Sequence, residues 1–358
     1  MKFAAAVLRN KFNAVSAVRY HAVTDALLSG GVPLEEVALL AYDDPTLVVE
    51  SLRRLIGGYE GVFLVCDKIL VPSAREAIHA ASGITLDGDY AATDDRFVAL
   101  LPAGERGAAL VKDIVIPAID ARRRQSYHSV VLRTVSAPPE RLLRAVADAQ
   151  DEAGDRLTIR TSEEYGVGRI EVVYDKDTPK VVADEVVRLL ASELEHYLYA
   201  MEDVDISARL FEALKLHRIK ISTAESFTGG GVASAIISNA GASKVFYEGI
   251  VCYDESSKEE RLGVAEYTIK SKGAASDETA YEMAVGLLKE GKCDLAIATT
   301  GVAGPLSDGS GKPAGTCYLA VGTQERVRVY EFHLEGDRES VTKRAVNLAL
   351  FLAYKEIA

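Results

Sequence analysis

Hydrophobic runs alternate with amphipathic stretches along the first third of the chain. Residues 1–8 predict an opening strand, and residues 37–41 form a second short apolar run. The pattern Asp43-Asp44-Pro45 is typical of a helix start, and apolar positions recur at helical spacing from there to Gly57-Gly58. The run Gly61–Cys66 then predicts a buried strand. Strand, helix and strand in succession form a βαβ unit, so we expect a parallel sheet covered by helices.

The middle of the chain carries a shorter pattern of strands and helices. Residues 130–135 are strand-like, and Pro138-Pro139-Glu140 opens an amphipathic helix. Residues 157–160 and 169–174 alternate with period two around a turn at 165–168. A long helix follows, with an apolar stripe of Val182, Val186, Leu189, Leu190, Leu194 and Leu198. This β-α-β-β-α order predicts a small α+β module. Because it contains no clustered chemistry, we interpret it as a spacer or a dimerisation domain.

The last part of the chain returns to regular alternation of helices and strands. A helix is predicted from Ile206, and the strand at 219–224 runs directly into Glu225-Ser226 and a glycine-rich turn. Further strands are predicted at 245–253, 295–299, 317–321 and Val327–His333, and a closing helix has Val341, Ala345, Leu348 and Leu352 on its inner face. The fold class is therefore α/β, with an α/β/α domain expected in the last segment. The length predicts two or three domains, and the order of the elements places three, at 1–125, 126–205 and 206–358.

Composition and charge narrow the class of protein. The formal net charge of −12 argues against a general nucleic-acid binder, whose affinity depends on neutralising phosphates. The cluster Arg122-Arg123-Arg124 is interpreted as charge at a helix end rather than as a phosphate patch. No apolar stretch approaches the roughly 18 residues that span a bilayer, and the first apolar run is too short for a signal peptide. We therefore expect a cytoplasmic protein without a membrane or nucleic-acid partner.

The cysteines also indicate a cytoplasmic protein. Their positions are far apart, each in an apolar strand-like run: Cys66, Cys252, Cys293 and Cys317. Because the chain contains no Cys-x-x-Cys pair, buried free thiols in a reducing compartment are expected, rather than disulfides or a metal site. No cofactor is implied by any motif in the sequence.

Ser226 is the first candidate for chemistry. It stands at a strand-to-helix turn, followed closely by Gly229 and Gly230. That position places a hydroxyl beside the free N–H groups of a helix N-terminus, where an oxyanion or a phosphate is favoured. Glycines let a substrate approach the backbone closely. A serine in such a turn is also a common helix cap, so the nucleophile and the cap both remain open interpretations of Ser226 alone.

A serine nucleophile needs a base, and the segment after the next predicted strand offers one. Tyr253 and Lys258 lie there, whereas His217 and His333 are isolated and are interpreted as surface or packing histidines. A lysine of lowered pKa or a tyrosinate can accept the serine proton where histidine is absent. The alternative is an exposed strand end with a solvated lysine.

A glycine-rich loop at residues 300–316 joins two predicted buried strands. It is not a P-loop, because Gly311-Lys312 is followed by Pro313 rather than by Ser or Thr. Its backbone amides can line a pocket at the carboxyl edge of the sheet, where open α/β sheets bind ligands. A flexible crossover is the alternative. Arg338, which precedes the closing helix, either faces an anionic substrate group or pairs with a neighbouring acid.

Together and in this order, these elements resemble the CinA family, named for competence and damage inducibility, over the whole of residues 206–358. The residues that carry the resemblance are Thr223-Ala224-Glu225-Ser226-Phe227-Thr228-Gly229-Gly230, Tyr253 with Lys258, the loop at 300–316 and Gly336-Asp337-Arg338. The resemblance implies a nicotinamide-nucleotide amidase, which hydrolyses nicotinamide mononucleotide to nicotinate mononucleotide and ammonia in pyridine nucleotide salvage. It also suggests a homodimer, and it implies a small-molecule nucleotide as the substrate.

The resemblance assigns roles to single residues. Ser226 is the implied nucleophile, Tyr253 and Lys258 are the implied proton-transfer partners, and Arg338 is an active-site arginine. The backbone of the turn and the loop is expected to bind substrate, at Thr228, Gly229, Gly230, Thr300, Gly301 and Gly304. Two departures stand out. Phe227 replaces the usual cysteine, and Asp254-Glu255-Ser256-Ser257 replaces the usual Ser-Asn-Glu-Ala. The added acid is expected to raise the pKa of Lys258 and so to weaken it as a base.

The first and middle segments resemble the other parts of full-length CinA proteins. The middle segment is similar to their KH-type linker, and the first occupies the place of a domain similar to molybdopterin-binding proteins. In that family domain a Gly-Gly-Leu-Gly-Pro-Thr loop with acidic residues is associated with metal-dependent ADP-ribose pyrophosphatase activity, whereas residues 66–75 here contain neither the glycines nor an acidic pair. We therefore expect a degenerate first domain. A non-catalytic nucleotide- or partner-binding scaffold is the main alternative function, and a pyrophosphatase in the first domain is a weaker one.

Overall fold

The computed structural model describes residues 1–9, 20–86, 88, 90–92, 96–123, 127–305 and 311–358. The chain divides into two compact units. One comprises residues 1–129, 153–158 and 171–184, and the other comprises residues 130–152, 159–170 and 185–358. The middle segment thus contributes residues to both units, and the division into three domains stays a prediction.

The first unit is built on a five-stranded sheet of order β2-β1-β3-β5-β4. Its strands are β1 (Phe3–Arg9), β2 (Leu34–Ala41), β3 (Gly61–Cys66), β4 (Tyr90–Ala92) and β5 (Phe97–Pro102). Strand β1 pairs in parallel with β2 and β3, and β3 pairs in parallel with β5, whereas β4 is antiparallel to β5. The predicted parallel sheet is confirmed.

Helices cover this sheet. They are α1 (His21–Ser29), α2 (Pro45–Gly58), α3 (Val71–Ser82), α4 (Glu105–Leu110) and α5 (Ile116–Arg123). Asp44 caps α2 as predicted, because its side chain accepts a hydrogen bond from the Leu47 N–H at 3.0 Å. Helix α5 ends at Arg123, which agrees with a helix-end interpretation of the arginine cluster; Arg124 lies outside the described residues.

The apolar side chains of β1 are divided between the two faces of the sheet. Ala4 and Leu8 belong to a buried cluster with α2 and α3, and Phe3 and Val7 belong to a second cluster with α1. Because both faces are buried, the strands of such a sheet read as continuous hydrophobic runs rather than as alternating ones. This is why uninterrupted apolar runs in the sequence could locate β1 and β3.

The middle of the chain forms a four-stranded sheet of order β7-β8-β6-β9. Its elements are β6 (Tyr127–Val135), α6 (Pro139–Ala153), β7 (Leu157–Glu164), β8 (Val167–Asp175), α7 (Lys180–Glu193) and β9 (Leu198–Ala200). The predicted long helix was wrong at its end. The chain turns after Glu193, and Leu198 lies in β9, where it pairs with Thr134 of β6.

The second unit contains the five-stranded sheet that follows. Its elements are α8 (Ile206–His217), β10 (Ile221–Glu225), α9 (Gly231–Ile237), β11 (Phe246–Val251), α10 (Glu255–Leu262), α11 (Glu266–Lys272), α12 (Asp277–Leu288), β12 (Leu295–Gly301), β13 (Thr316–Thr323), β14 (Val327–His333) and α13 (Arg338–Ile357). The strand order is β11-β10-β12-β13-β14. Strand β10 is parallel to both of its neighbours, whereas β13 is antiparallel to both β12 and β14.

Helices pack on both faces of this sheet. Helices α8, α9 and α13 bury one face in a cluster that includes Ile221 and Leu319, and α10, α11 and α12 bury the other around Ala224 and Ala298. The α/β/α arrangement predicted for the last segment is confirmed. All four cysteines are buried and unpaired, as predicted. Within the described ranges, no helix combines the length and the apolar character that crossing a membrane requires.

Candidate functional site

Ser226 lies at the carboxyl edge of the sheet, directly after β10. Its N–H donates to the Thr299 carbonyl at 2.9 Å, and its own carbonyl accepts from the Gly229 N–H at 3.1 Å. Gly229 and Gly230 have φ values of +61° and +94°, in the left-handed region that glycine adopts at little cost. The side chain is largely buried, at 7% exposure. The backbone on both sides of Ser226 is therefore held by the end of β12 and by the turn itself.

The N-terminus of α9, where the sequence suggested an oxyanion site, is occupied by the carboxylate of Glu225. Its Oε2 accepts from the N–H groups of Gly230 and Val232, both at 3.0 Å, and its Oε1 accepts from the Ala233 N–H at 2.7 Å. The Thr228 hydroxyl donates to Oε2 at 2.7 Å. The free amides of a helix N-terminus are thus satisfied by a side chain of the protein.

This arrangement gives Thr228, Gly229 and Gly230 partners within the protein, and their substrate-binding role stays a prediction. The Gly230 amide and the Thr228 hydroxyl are bound to Glu225, and the Gly229 amide closes the turn on the Ser226 carbonyl. None of the three lines the cavity beside Ser226. In this structure their hydrogen bonds shape the turn.

Lys258 reaches Ser226 from α10 and is almost fully buried, at 1% exposure. Its Nζ donates to Ser226 Oγ at 3.1 Å, to the Cys252 carbonyl at 2.9 Å and to the Tyr253 carbonyl at 3.0 Å. The side chain is held in place by the start of α10, where Asp254 accepts from the Ser256 N–H at 2.9 Å as the helix cap. The sequence's pairing of Ser226 with Lys258 is thus a direct contact.

The pKa of Lys258 is lowered, because burial disfavours the charged ammonium. The nearby Cys252, Glu255 and Asp254 act in the opposite direction, but their effect is smaller than that of burial. The acidic segment does raise this pKa, as expected, but burial lowers it by more, so the net shift is downward. The lowered pKa favours a neutral amine, which is the form that can accept a proton.

Tyr253 and Arg338 meet at the cavity, away from Lys258 Nζ. The Arg338 guanidinium donates to Tyr253 Oη at 3.1 Å and to the Gly304 carbonyl at 2.8 Å. The Tyr253 ring is 63% exposed, and its phenol makes no hydrogen bond to Ser226 or Lys258. Its role in proton transfer stays a prediction. Tyr253 supports Lys258 through its backbone carbonyl.

A cavity of about 450 Å³ opens over these side chains. Its lining includes Ser226, Tyr253, Lys258 and Arg338, together with Thr300, Gly301 and Gly304 from the predicted glycine-rich loop. The Thr300 hydroxyl donates to the Ala274 carbonyl at 2.6 Å, so it fixes the wall of the cavity. Residues 306–310 of the loop lie outside the described residues.

The described part of the site was also considered as a metal centre. Among the residues that the structure describes, no three His, Cys, Asp or Glu side chains cluster as metal ligands would. His217 lies at the end of α8, and His333 is exposed beside Glu331 at 3.7 Å. Both histidines lie outside the cavity lining, as their interpretation as surface or packing residues requires.

Two carboxylates of the site were not assigned a role from the sequence. Glu225 caps the α9 N-terminus, and Glu255 lines the cavity near Lys258. A signal for Glu225 was present in the sequence, since an acidic residue ends a hydrophobic strand immediately before a turn whose amides need an acceptor. Glu255 was read only as a charge that affects Lys258.

Comparison with known proteins places the site in a family. Residues 203–357 match the CinA C-terminal domain family. The chain is 30% identical over 278 residues to a competence-damage inducible protein of Caldicellulosiruptor saccharolyticus, covering 76% of this chain and 67% of the relative. It is 37% identical over 176 residues to a CinA-like protein of Kosmotoga olearia, covering 49% of this chain and 43% of the relative.

A solved structure gives a further likeness. The crystal structure of a competence-damaged protein (CinA) superfamily protein from Klebsiella pneumoniae is 30% identical, with a TM-score of 0.42. It covers 42% of this chain and 95% of that protein. By the extent of the sequence match to the Caldicellulosiruptor relative, the chain belongs to the competence-damage inducible protein (CinA) family.

Proposed function

We propose that this protein is a nicotinamide-nucleotide amidase, which hydrolyses the carboxamide of nicotinamide mononucleotide to nicotinate mononucleotide and ammonia. The observation that carries the proposal is the buried contact of 3.1 Å between Lys258 Nζ and Ser226 Oγ at a cavity. A serine hydroxyl paired with a buried lysine is a known form of activated nucleophile. The cavity has the size range of small-molecule sites.

Two backbone carbonyls, those of Cys252 and Tyr253, fix the orientation of the Lys258 amine. A neutral amine has two N–H groups and one lone pair. With its two N–H groups donated to the carbonyls of Cys252 and Tyr253, its remaining lone pair faces Ser226 Oγ. The geometry therefore favours transfer of the serine proton to Lys258 once the amine is neutral. No other acceptor is needed for that step.

The reaction then proceeds in two halves. Ser226 Oγ attacks the carboxamide carbon as its proton passes to Lys258, and a tetrahedral adduct forms. The C–N bond breaks, the proton on Lys258 goes to the departing nitrogen, and ammonia leaves an ester on Ser226. Water then attacks the ester carbon, gives a proton to Lys258, and releases the carboxylic acid as the proton returns to Ser226 Oγ.

The negative charge on the adduct needs donors other than the α9 amides. The Phe227 N–H directly follows Ser226 and donates to no residue that the structure describes. The amide after a nucleophile is a common oxyanion donor. We assign it that role, because Phe227 also lines the cavity. Arg338 is assigned to the anionic phosphate of the substrate, since its guanidinium lines the same cavity.

The proposal extends to the assembly and its location. A homodimer in the cytoplasm, with the nucleotide as its small-molecule partner, is the form expected from the family resemblance. The alternative is a non-catalytic scaffold that binds nucleotides or partner proteins. It shares the fold but does not require Lys258 to be buried against Ser226, so the dyad favours the enzyme.

The test is release of ammonia from nicotinamide mononucleotide by the purified full chain. Ser226→Ala should abolish release, because it removes the attacking oxygen. Ser234→Ala is the matched control, since Ser234 is an exposed serine on α9 and does not line the cavity. It should leave the rate unchanged. No ammonia from the unaltered protein, or equal rates for the protein and Ser226→Ala, would favour the scaffold.

A further inference from the structure

The carboxylate of Glu225 is buried as deeply as any charge near the site, at 1% exposure. Burying an ionised carboxylate is costly unless it is hydrogen-bonded. Here the cost is offset by three backbone N–H groups, at 2.7 to 3.0 Å, and by the Thr228 hydroxyl at 2.7 Å. Charge-assisted bonds of this kind are about twice as strong as neutral ones. A carboxylate with four donors is therefore a rigid anchor.

The anchor joins all the elements that surround Ser226. The Glu225 backbone ends β10, its side chain holds the first turn of α9, and its carbonyl accepts from the Cys252 N–H at 2.9 Å. Through Thr228 the network also reaches the end of β12, because the Thr228 hydroxyl lies 2.6 Å from Thr299 Oγ1. The same Thr299 accepts the Ser226 N–H through its carbonyl.

We propose that Glu225 is a positioning residue for Ser226, which sets the orientation of Oγ toward Lys258 without itself contacting substrate. Ser226 is the next residue along the chain, so a shift of the Glu225 anchor moves the serine backbone directly. Glu225 does not line the cavity. The proposal rests on the nucleophile role of Ser226 from the proposed function, but not on the identity of the substrate.

A second carboxylate of the same unit provides a control of matched chemistry. Glu282 accepts from the Ala265 N–H and the Thr268 hydroxyl, both at 2.7 Å, at the start of α11. It therefore also holds a helix N-terminus through one amide and one threonine. It is not connected to the Ser226 turn by any of these bonds. A change in stability alone is expected from its loss.

The experiment measures the reactivity of Ser226 with a fluorophosphonate probe, which labels activated serines and needs no nicotinamide. The full chain is compared with Glu225→Gln and Glu282→Gln, and melting temperature is recorded for each. Glutamine keeps the shape of Glu225 but places an N–H₂ against amide donors. We expect Glu225→Gln to lower the labelling rate at least about tenfold, and Glu282→Gln to leave it within about twofold at a similar loss of stability.

A second readout separates positioning from binding. If the unaltered protein hydrolyses nicotinamide mononucleotide, Glu225→Gln should lower kcat by a similar factor and change KM little, because Glu225 does not touch the ligand. Should Glu225→Gln fail to fold, Thr228→Val takes its place, since it removes one donor and keeps the carboxylate; it should lower the labelling rate about threefold.

The outcomes distinguish the two proposals. Labelling that falls with Glu225→Gln or Thr228→Val supports positioning, even if no ammonia is released from the nucleotide and the proposed function fails. The role of Glu225 would be overturned if Glu225→Gln, or Thr228→Val where that variant is used instead, were labelled at the rate of the unaltered protein. An equally large fall in the labelling rate of Glu282→Gln would also overturn it. A complete absence of labelling in the unaltered protein, with the Ser226→Ala variant as reference, would overturn it as well.

Discussion

The role of Lys258 is tested most sharply by two substitutions that keep its length. Lys258→Met removes the amine and leaves an unbranched apolar side chain. Lys258→Arg keeps a positive charge and several N–H donors, but its guanidinium does not deprotonate in proteins. If Lys258 acts by accepting the Ser226 proton, both variants should be inactive. If it acts only as a fixed positive charge, the arginine variant should retain activity.

The size of the loss follows from the surroundings of the amine. Because Lys258 is 1% exposed, bulk water cannot readily replace it as the proton acceptor. Proton transfer by a positioned side chain contributes about 10²–10⁴-fold to a rate. At about 1.4 kcal/mol for each factor of ten, this corresponds to roughly 3–5 kcal/mol of barrier. We therefore expect kcat to fall by at least about a hundredfold in both variants.

Stability should change much less in the methionine variant. Loss of the amine leaves the Cys252 and Tyr253 carbonyls without this donor, at about 1–3 kcal/mol for each group that stays unpaired. Removal of the buried amine offsets part of this, since burying an ionised group costs several kcal/mol. A net change within about 2 kcal/mol is expected, which is typical of single substitutions.

The assay is ammonia release at saturating nucleotide, with thermal unfolding measured on the same samples. Lys270→Met serves as the control, because Lys270 is 71% exposed and pairs with Glu266 on α11. Such surface pairs contribute about 0–1 kcal/mol, so neither activity nor stability should change much. The reasoning is refuted if Lys258→Met keeps more than about a tenth of the activity, or if Lys258→Arg is as active as the unaltered protein while both remain folded.

Four further predictions concern pH and the cavity. Because burial lowers the pKa of Lys258, kcat/KM should rise with pH through that lowered pKa and level off below the ordinary lysine range. The pKa of Lys258 is higher in the unfolded chain than in the folded protein, so the unfolded chain keeps this proton to higher pH. The free energy of unfolding should therefore rise with pH between the folded and the unfolded pKa of Lys258, and Lys258→Met should remove that rise. Glu255→Gln should shift the acid limb of the kcat/KM profile to lower pH, because it removes a charge that raises the pKa of Lys258. Glu260→Gln is the control and should shift this limb less, since Glu260 is an exposed acid of the same helix that does not line the cavity. Arg338→Ala should raise KM for the nucleotide about tenfold or more, because it removes a charge-assisted hydrogen bond of roughly 1.5–3 kcal/mol. It should have little effect on KM for nicotinamide riboside, which has no phosphate. The control Arg328→Ala, which removes an arginine paired with Glu356, should change neither KM value.

Part of the fold could be predicted because some of its strands are covered on both faces. The fully buried run Gly61–Cys66 was located to the residue, and so was Val327–His333, a partly exposed strand at the edge of its sheet. The helix after Asp44 was also identified, since its cap and proline act locally. The end of α7 was missed because Leu198 fits a helical stripe as well as it fits a strand. Only its pairing with β6, a contact distant in sequence, decides between the two.

The site was predicted where the order of motifs identified residues, and missed where the geometry depends on distant parts of the chain. Ser226 and Lys258 were candidates from the residues, the family resemblance assigned their pairing, and a contact of 3.1 Å joins them. The lowered pKa of Lys258 could not be read from the adjacent acids, because burial depends on the packing of α10 against the sheet. From the sequence, only the effect of Asp254 and Glu255 on the pKa of Lys258 could be considered, whereas the larger effect is the desolvation of the amine.

The turn after β10 shows why a helix N-terminus in a sequence is an ambiguous signal. Free amides favour an anion, but a sequence does not say whether the anion comes from a ligand or from the protein. Here Glu225 supplies it, so in the proposed amidase the oxyanion donor is assigned elsewhere, to the Phe227 N–H. The internal carboxylate also makes the turn rigid before any substrate arrives, since its bonds do not depend on a ligand. A nucleophile held in this way needs little reorganisation during the reaction, which is the condition under which fixed donors and a fixed base contribute most to a rate.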